Sequence, residues 1–309
     1  MRIVTRPDFD GIVCAVLLYE ALDITEPTLW VEPNDVQKGR VEIFNHDIIA
    51  NLPYDERCAL WFDHHFTNQI DKPFEGAFEI APSAAGIIFE YFKDRFQRDY
   101  SELVQAADKI DSANLTLDEV LHPEKYPYVL VSLTVSNEVQ PNVPYWNSLV
   151  TLFREQEIHR VLESAEVKQH CQEVVYRNDR YVDVLKQHTI IKQHVALTDF
   201  RSFDKAPFGN RFLVYSLFPE ASVNVRVRYE DPNKDMVVIN LGHSIFNPGC
   251  HVNVGLMLAQ FGGGGHPGAG SARIPSSEAD DILSQIIDQL LANKNNETLN
   301  LGRGERQQC

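Results

Sequence analysis

The sequence predicts an α/β protein: an N-terminal, mostly parallel sheet with helices on both faces, a helical linker, and a smaller C-terminal α+β domain. Three observations predict it. Up to about residue 110, short apolar strand-like runs alternate with helix-like runs, the pattern of a parallel sheet. From residue 101 to about 186 helical spacing dominates. After residue 188 short β-rich segments take over, and a last helix closes the ordered part.

Taken in order, Arg2-Ile3-Val4-Thr5 reads as the first strand and residues 11–22 as a buried helix. Residues 28–32, Val41-Glu42-Ile43-Phe44 and 58–62 read as further strands. Residues 83–95 carry Ile87, Ile88, Tyr91 and Phe92 at helical spacing. Residues 164–186 hold many charges and neither Gly nor Pro, so they read as one stiff helix. Beyond it, residues 189–191, 194–197, 212–215, 222–229 and 236–241 read as strands, and 277–292 as a final helix. The expected division is a first domain over 1–163, a linker helix over 164–187, a second domain over 188–292, and a polar tail over 293–309.

The totals narrow the function. A chain of 309 residues suits two domains, and 44% hydrophobic with 23% charged residues is ordinary for a globular protein. The net charge of −16, from 28 basic and 44 acidic residues, argues against a general nucleic-acid coat. Cys14, Cys58, Cys171, Cys250 and Cys309 are scattered and form no C-x-x-C pair, so neither a disulfide framework nor a cysteine zinc site is expected. No apolar run reaches membrane-spanning length, and the first residues enter a strand rather than a signal peptide. A cytoplasmic location is the expectation.

Chemistry concentrates where strands end. Asp8-Phe9-Asp10-Gly11 follows the first strand and opens a helix. If extended, its two carboxylates point the same way, suited to a divalent cation; the same residues suit an N-capping Asp. Gly11 lets the backbone approach closely. Asp63-His64-His65 follows the strand 58–62, so one histidine can bind a metal while the other faces substrate, and Asp63 can fix a tautomer. Asp47 follows the run 41–44, and Asp108 and Asp111 sit near the end of an Ala-rich helix. Carboxylates and an imidazole on one sheet edge would repel without a cation, and this mixture suits Mn²⁺, Mg²⁺, Co²⁺ or Fe²⁺. Farther on, Phe261 to Gly270 holds four consecutive glycines and His266, a backbone able to present amides to anions. Arg226 and Arg228 lie two apart and would share one strand face, either solvated or gripping phosphate.

This order of motifs resembles the DHH phosphoesterase superfamily, and the run from Phe261 to Gly270 resembles the glycine-rich signature of its DHH-associated C-terminal domain. The resemblance spans roughly residues 1–290. The superfamily includes RecJ-type exonucleases, oligoribonucleases, cyclic-dinucleotide phosphodiesterases, and manganese pyrophosphatases and exopolyphosphatases. It implies Asp8 on one metal, Asp10 on the other, Asp47 bridging both, His64 as a ligand, and Asp111 closing the site, with Asp108 competing for that place. It implies His65 on the phosphoryl group, and His266 with the amides of Gly263, Gly264 and Gly265 on the substrate. Two departures stand out: Val4 occupies the position where the family carries a histidine, and no arginine occurs in Gly242 to Asn247.

The function expected is hydrolysis of phosphodiester bonds in short single-stranded oligonucleotides or nucleotide-like substrates, with hydroxide made available by one or two divalent ions, Mn²⁺ by preference. Asp63, His64 and His65 form the expected catalytic group. An exopolyphosphatase and a catalytically impaired nucleotide-binding protein are the alternatives. No membrane partner is expected, and a homodimer is compatible with the reading.

Overall fold

The computed structural model describes residues 1–135 and 141–297, so Cys309 and most of the expected polar tail lie outside the described residues. In chain order the elements are β1 (Arg2–Thr5), α1 (Phe9–Ala21), β2 (Leu29–Trp30), α2 (Pro33–Gln37), β3 (Asp47–Ala50), β4 (Leu60–Asp63), β5 (Gly76–Phe78), α3 (Ala84–Tyr91), α4 (Ser101–Asp111), α5 (Leu117–Leu121), α6 (Pro127–Ser132), α7 (Val143–Glu155), α8 (Ile158–Glu163) and α9 (Ala165–His188). There follow β6 (Thr189–Lys192), β7 (Val195–Asp199), α10 (Leu213–Leu217), β8 (Val223–Tyr229), β9 (Met236–His243), α11 (Val254–Ala259), β10 (Gly264–His266), β11 (Ala269–Pro275) and α12 (Ala279–Ala292). Two compact units result. One comprises Met1–Leu115 and His122–Val175; the other comprises Thr116–Leu121 and the chain from Tyr176 onward, so the division falls inside α9. No helix among the described residues is long and apolar enough to cross a membrane.

The first unit is built on a five-stranded sheet in the order β2-β1-β3-β4-β5, with every pairing parallel. Its central strands are apolar on both faces, as parallel strands must be when both faces are covered. Ile3, Ile48 and Phe62 point into a core shared with α1, α3, α4 and α7. Val4, Ile49 and Trp61 point the other way, against Val36 of α2 and loop residues such as Tyr54 and Phe74. Helix α1 is buried nearly all round, which explains why it lacks a polar face.

Two strands depart from the sequence expectation. The run Val41–Phe44 is not a strand; the third strand is Asp47–Ala50, shifted toward the C-terminus. In the second unit, the expected strand 212–215 is instead the N-cap and first residues of helix α10, preceded by a turn in which Asn210 Oδ1 accepts from the Phe212 amide at 3.0 Å. A short apolar run fits either state by periodicity alone.

The second unit has a six-stranded mixed sheet in the order β10-β11-β9-β8-β7-β6. Val223, Val225 and Val227 of β8 face a core with α11 and α12. The opposite face of β8 carries Asn224, Arg226 and Arg228, all partly exposed. Register aligns Arg226 with Asn240, Asn240 with Ser271, and Ser271 with Gly264, a polar row across four strands. The next row aligns Asn224, Gly242, Ala269 and His266.

Candidate active site

Because the first sheet is parallel, the loops leaving β1, β3, β4 and β5 converge on one edge. What each loop delivers there is set by its first few residues.

After β1 the chain turns sharply into α1. The Arg6 carbonyl lies only 1.9 Å from where a Cβ on residue 11 would stand, so the turn requires Gly11. Asp8 is the N-cap of α1 and accepts from the Gly11 amide at 2.8 Å. Asp10 lies in the first helical turn, so the two carboxylates do not share an extended strand. The Asp10 side chain is fully buried. It accepts from the amides of Ala84 at 3.0 Å and Ala85 at 2.9 Å, the first N–H groups of α3, and from the Cys14 thiol at 3.6 Å. Burial, and then the carboxylates of Asp111 and Asp8, push the Asp10 carboxyl well above the ordinary range. Asp8 is pushed up to about 6, chiefly by burial, although a quarter of its side chain still meets solvent.

After β4, the two histidines diverge. His64 donates from Nδ1 to the Ala81 carbonyl at 2.9 Å, which leaves the Nε2 lone pair free. That nitrogen is buried and has no hydrogen-bond partner. It lies 3.3 Å from Asp111 Oδ2 and 3.8 Å from Asp10 Oδ2. His65 points elsewhere: its Nδ1 bonds Asp63 Oδ1 at 2.8 Å, while Asp63 Oδ2 accepts from Asn68 Nδ2 at 2.6 Å. Burial alone would lower the His65 pKa, but the Asp63 hydrogen bond and charge outweigh it and raise it.

Asp10, His64 and Asp111 each offer a ligand atom, and these lie within 4.8 Å of one another. Two carboxylate oxygens facing an unpaired imidazole nitrogen fit a divalent cation of the Mn²⁺ or Mg²⁺ kind. Asp63, His64 and His65 also lie close enough to form such a set, but there Asp63 Oδ1 and His65 Nδ1 are bonded to each other, and Asp63 Oδ2 accepts from Asn68. Asp108 accepts from Ser83 Oγ at 2.6 Å, and Ser83 caps α3, so Asp108 holds the helix start rather than joining the cluster.

Asp47 requires a correction. It begins β3 instead of following a strand, which places it on the opposite edge of the sheet. Its carboxylate accepts from Arg2 Nε at 2.9 Å, Arg2 Nη2 at 2.6 Å and the Phe44 amide at 2.8 Å. The residue that leaves β3 at the site edge is Asn51, buried, with φ of 57°. Its Nδ2 donates to Asp8 Oδ1 at 3.0 Å. Arg6, just past β1, lies with Nε 3.2 Å from Asp8 Oδ2. Neither residue stands out by motif. Asn after an apolar run and before Leu-Pro is a left-handed turn signal, and it could have located the strand end. Val4 is fully buried in the core on the sheet face away from α1.

In the second unit, the glycine-rich run leaves α11, passes through β10 and enters β11. Gly265 has φ of +150°, and a Cβ there would meet the Ala269 carbonyl at 2.3 Å. A Cβ on Gly255 of α11 would meet the Gly265 carbonyl at the same distance, so the helix and the run pack backbone to backbone. Gly264 has open space above it, and His266 is exposed. Gly263 is held close to Ser271 and Ala272. Arg228 donates from Nη1 to the Tyr229 carbonyl at 3.2 Å.

No family model and no curated protein matches the chain. Among solved structures it is similar to a pGpG-specific phosphodiesterase from Vibrio cholerae, with 31% identity and a TM-score of 0.80, over 95% of this chain and 99% of that one. RecJ from Thermus thermophilus, in complex with Mn²⁺, shares the fold at a TM-score of 0.62 and 10% identity, over 95% of this chain and 52% of RecJ. The DHH domain of a member of a ribosomal-protein family does so at 0.61 and 14%, over 95% and 87%.

Proposed function

Because this chain belongs to the DHH phosphoesterase superfamily, we propose that it is a metal-dependent phosphodiesterase of short oligonucleotides, with a linear dinucleotide as the first substrate to test. The observation that carries the reading is His64 Nε2: a buried nitrogen with no partner, its ring fixed by Ala81, directed at two carboxylates. A buried polar atom without a partner is costly unless a ligand completes it. Asp10, His64 and Asp111 are the residues assigned to the ion, and the mixed donor set favours Mn²⁺. When bound, such an ion draws charge from phosphoryl oxygens and makes hydroxide available at neutral pH.

The chain's own residues supply the rest. Ala84 and Ala85 hold Asp10 in one orientation, so its position does not depend on the ligand. Asp63 and Asn68 hold His65 with Nδ1 committed, which leaves Nε2 to face the phosphoryl group and to give a proton to the leaving oxygen. In the second unit, the row of Arg226, Asn240, Ser271 and Gly264, next to His266, presents a cation, polar groups and an unobstructed backbone. That face is suited to a phosphate or a base edge, and Arg226 with the backbone of Gly264 and Gly265 is assigned to it; the Gly263 amide, expected there from the sequence, is instead spent on the Leu258 carbonyl at 2.9 Å. Arg228 and His266 flank it.

The test is hydrolysis by the purified protein with Mn²⁺ of linear and cyclic dinucleotides, short RNA and DNA oligomers, polyphosphate and pyrophosphate, with His64→Ala as control. Metal-dependent cleavage of dinucleotides or short oligomers, absent in the control, is expected. Cleavage of polyphosphate alone would replace this reading with a phosphoanhydride hydrolase. Silence throughout, with nucleotide still bound, would leave the impaired binding protein.

A further inference from the structure

Resting on the metal reading above, we infer that this centre takes one divalent cation, and that the Arg6 guanidinium serves as a fixed positive charge where a second ion would otherwise stand, reaching the substrate's phosphate. Asp8 is the residue that points to it. Both of its oxygens are engaged by donors from its own surroundings, one of them a cation. Oδ1 accepts from the Gly11 amide at 2.8 Å and from Asn51 Nδ2 at 3.0 Å, and Oδ2 faces Arg6 Nε at 3.2 Å. Asp10 also accepts with both oxygens, but from two amides and a thiol rather than a guanidinium, and with His64 and Asp111 it meets around a nitrogen that has nothing to bond.

A second ion beside the first would need anionic ligands, ideally one shared between the two. The strand end that could supply it, after β3, carries the neutral Asn51, 1% exposed and in the left-handed region. Its amide is oriented by Asp8 with the N–H side toward the carboxylate, which a cation would have to displace. Its Oδ1 is buried and without a partner, a neutral acceptor that adds no charge. Arg6 already neutralises Asp8, and a dication placed there would be repelled by the guanidinium. The Arg6 side chain is 40% exposed, and Glu32 is its other acidic neighbour, at 4.0 Å. Its fork therefore has donors left for an incoming phosphodiester oxygen, in the bidentate manner for which guanidinium is suited.

The experiment is Mn²⁺ binding to the full chain by native mass spectrometry and electron paramagnetic resonance, with no substrate present. One ion per chain with an uncoupled signal is expected for the wild type. Arg6→Gln should keep that ion and its affinity while kcat/KM for a linear dinucleotide falls about tenfold or more, and Arg6→Lys should restore part of it. The double variant Arg6→His, Asn51→Asp should take up a second ion. Two ions per wild-type chain with an exchange-coupled signal would overturn the inference while leaving the metal reading intact. An Arg6→Gln variant with full kcat/KM would overturn the substrate role of Arg6. No ion at all would overturn the assignment of Asp10, His64 and Asp111 itself.

Discussion

Replacing Asp10 with alanine separates two roles that one carboxylate plays. Its oxygens accept the first two amides of α3, both buried. Leaving two buried donors unmet costs about 1–3 kcal/mol each, so the expected loss is about 2–6 kcal/mol. The lower part of that range applies, because removing Asp10 also removes a carboxylate crowded by Asp8 and Asp111. Asp111 is different: a quarter of its side chain is exposed and it faces His64, so Asp111→Ala should cost under about 1 kcal/mol. With Mn²⁺ the two variants should look alike. At an ion concentration of about 100 Kd the wild type gains about 2.7 kcal/mol, which for a unit of this size raises the melting temperature by roughly 5–11 °C. Both variants should lose that rise. Urea unfolding in the presence of a chelator, and thermal melts with and without Mn²⁺, read the two quantities separately. An Asp10→Ala protein with an undiminished Mn²⁺ shift would refute the coordination argument. One with an unchanged urea midpoint would refute the claim that this carboxylate secures α3.

Gly11→Ala should lower stability by about 1–3 kcal/mol or more in urea unfolding, because its Cβ would press on the Arg6 carbonyl; wild-type stability would mean the turn is not close-packed. Asp63→Asn and Asn68→Ala should each cut kcat about 10–100-fold while Mn²⁺ affinity by calorimetry stays put, since both hold His65 rather than the ion; equal kcat would remove His65 from the reaction. Gly264→Ala should keep stability within about 0.5 kcal/mol yet raise KM, as should Arg226→Ala by about 10–100-fold, whereas Gly265→Ala should destabilise the second unit. Unchanged KM in both Gly264→Ala and Arg226→Ala would show that this face does not meet the substrate.

The α/β class and the DHH relationship were legible because their signals are local. An apolar strand followed at once by Asp-x-Asp-Gly or Asp-His-His needs no knowledge of distant residues. Asp47 was misread for the opposite reason. Val41–Phe44 and Ile48–Ala50 are both short apolar runs, and which one pairs with β1 is decided by Arg2, whose guanidinium locks Asp47 at the start of β3. That contact joins residues far apart in the chain, and no spacing rule reveals it. The choice between Asp108 and Asp111 was open for a similar reason: three residues apart near a helix end, they differ in whether Ser83 or His64 meets them. Arg6 and Asn51 were invisible as site residues because neither type marks metal chemistry. Their meaning comes from sharing the Asp8 carboxylate.

The assignment of Thr116–Leu121 to the second unit has a consequence for how the protein comes to be made. The chain leaves the first unit at residue 115, returns at 122 and leaves again at 175, so three covalent crossings join the two. Helix α5 packs on α10, which is synthesised only after all of the first unit and the whole of α9. During translation, then, a segment embedded in the N-terminal half must wait for a partner from the far end of the chain. A truncation after residue 175 would leave that segment without its partner permanently. The two units are therefore not interchangeable modules that a single cut could separate, and gene fusions or swaps at the long helix would carry a piece of one unit into the other.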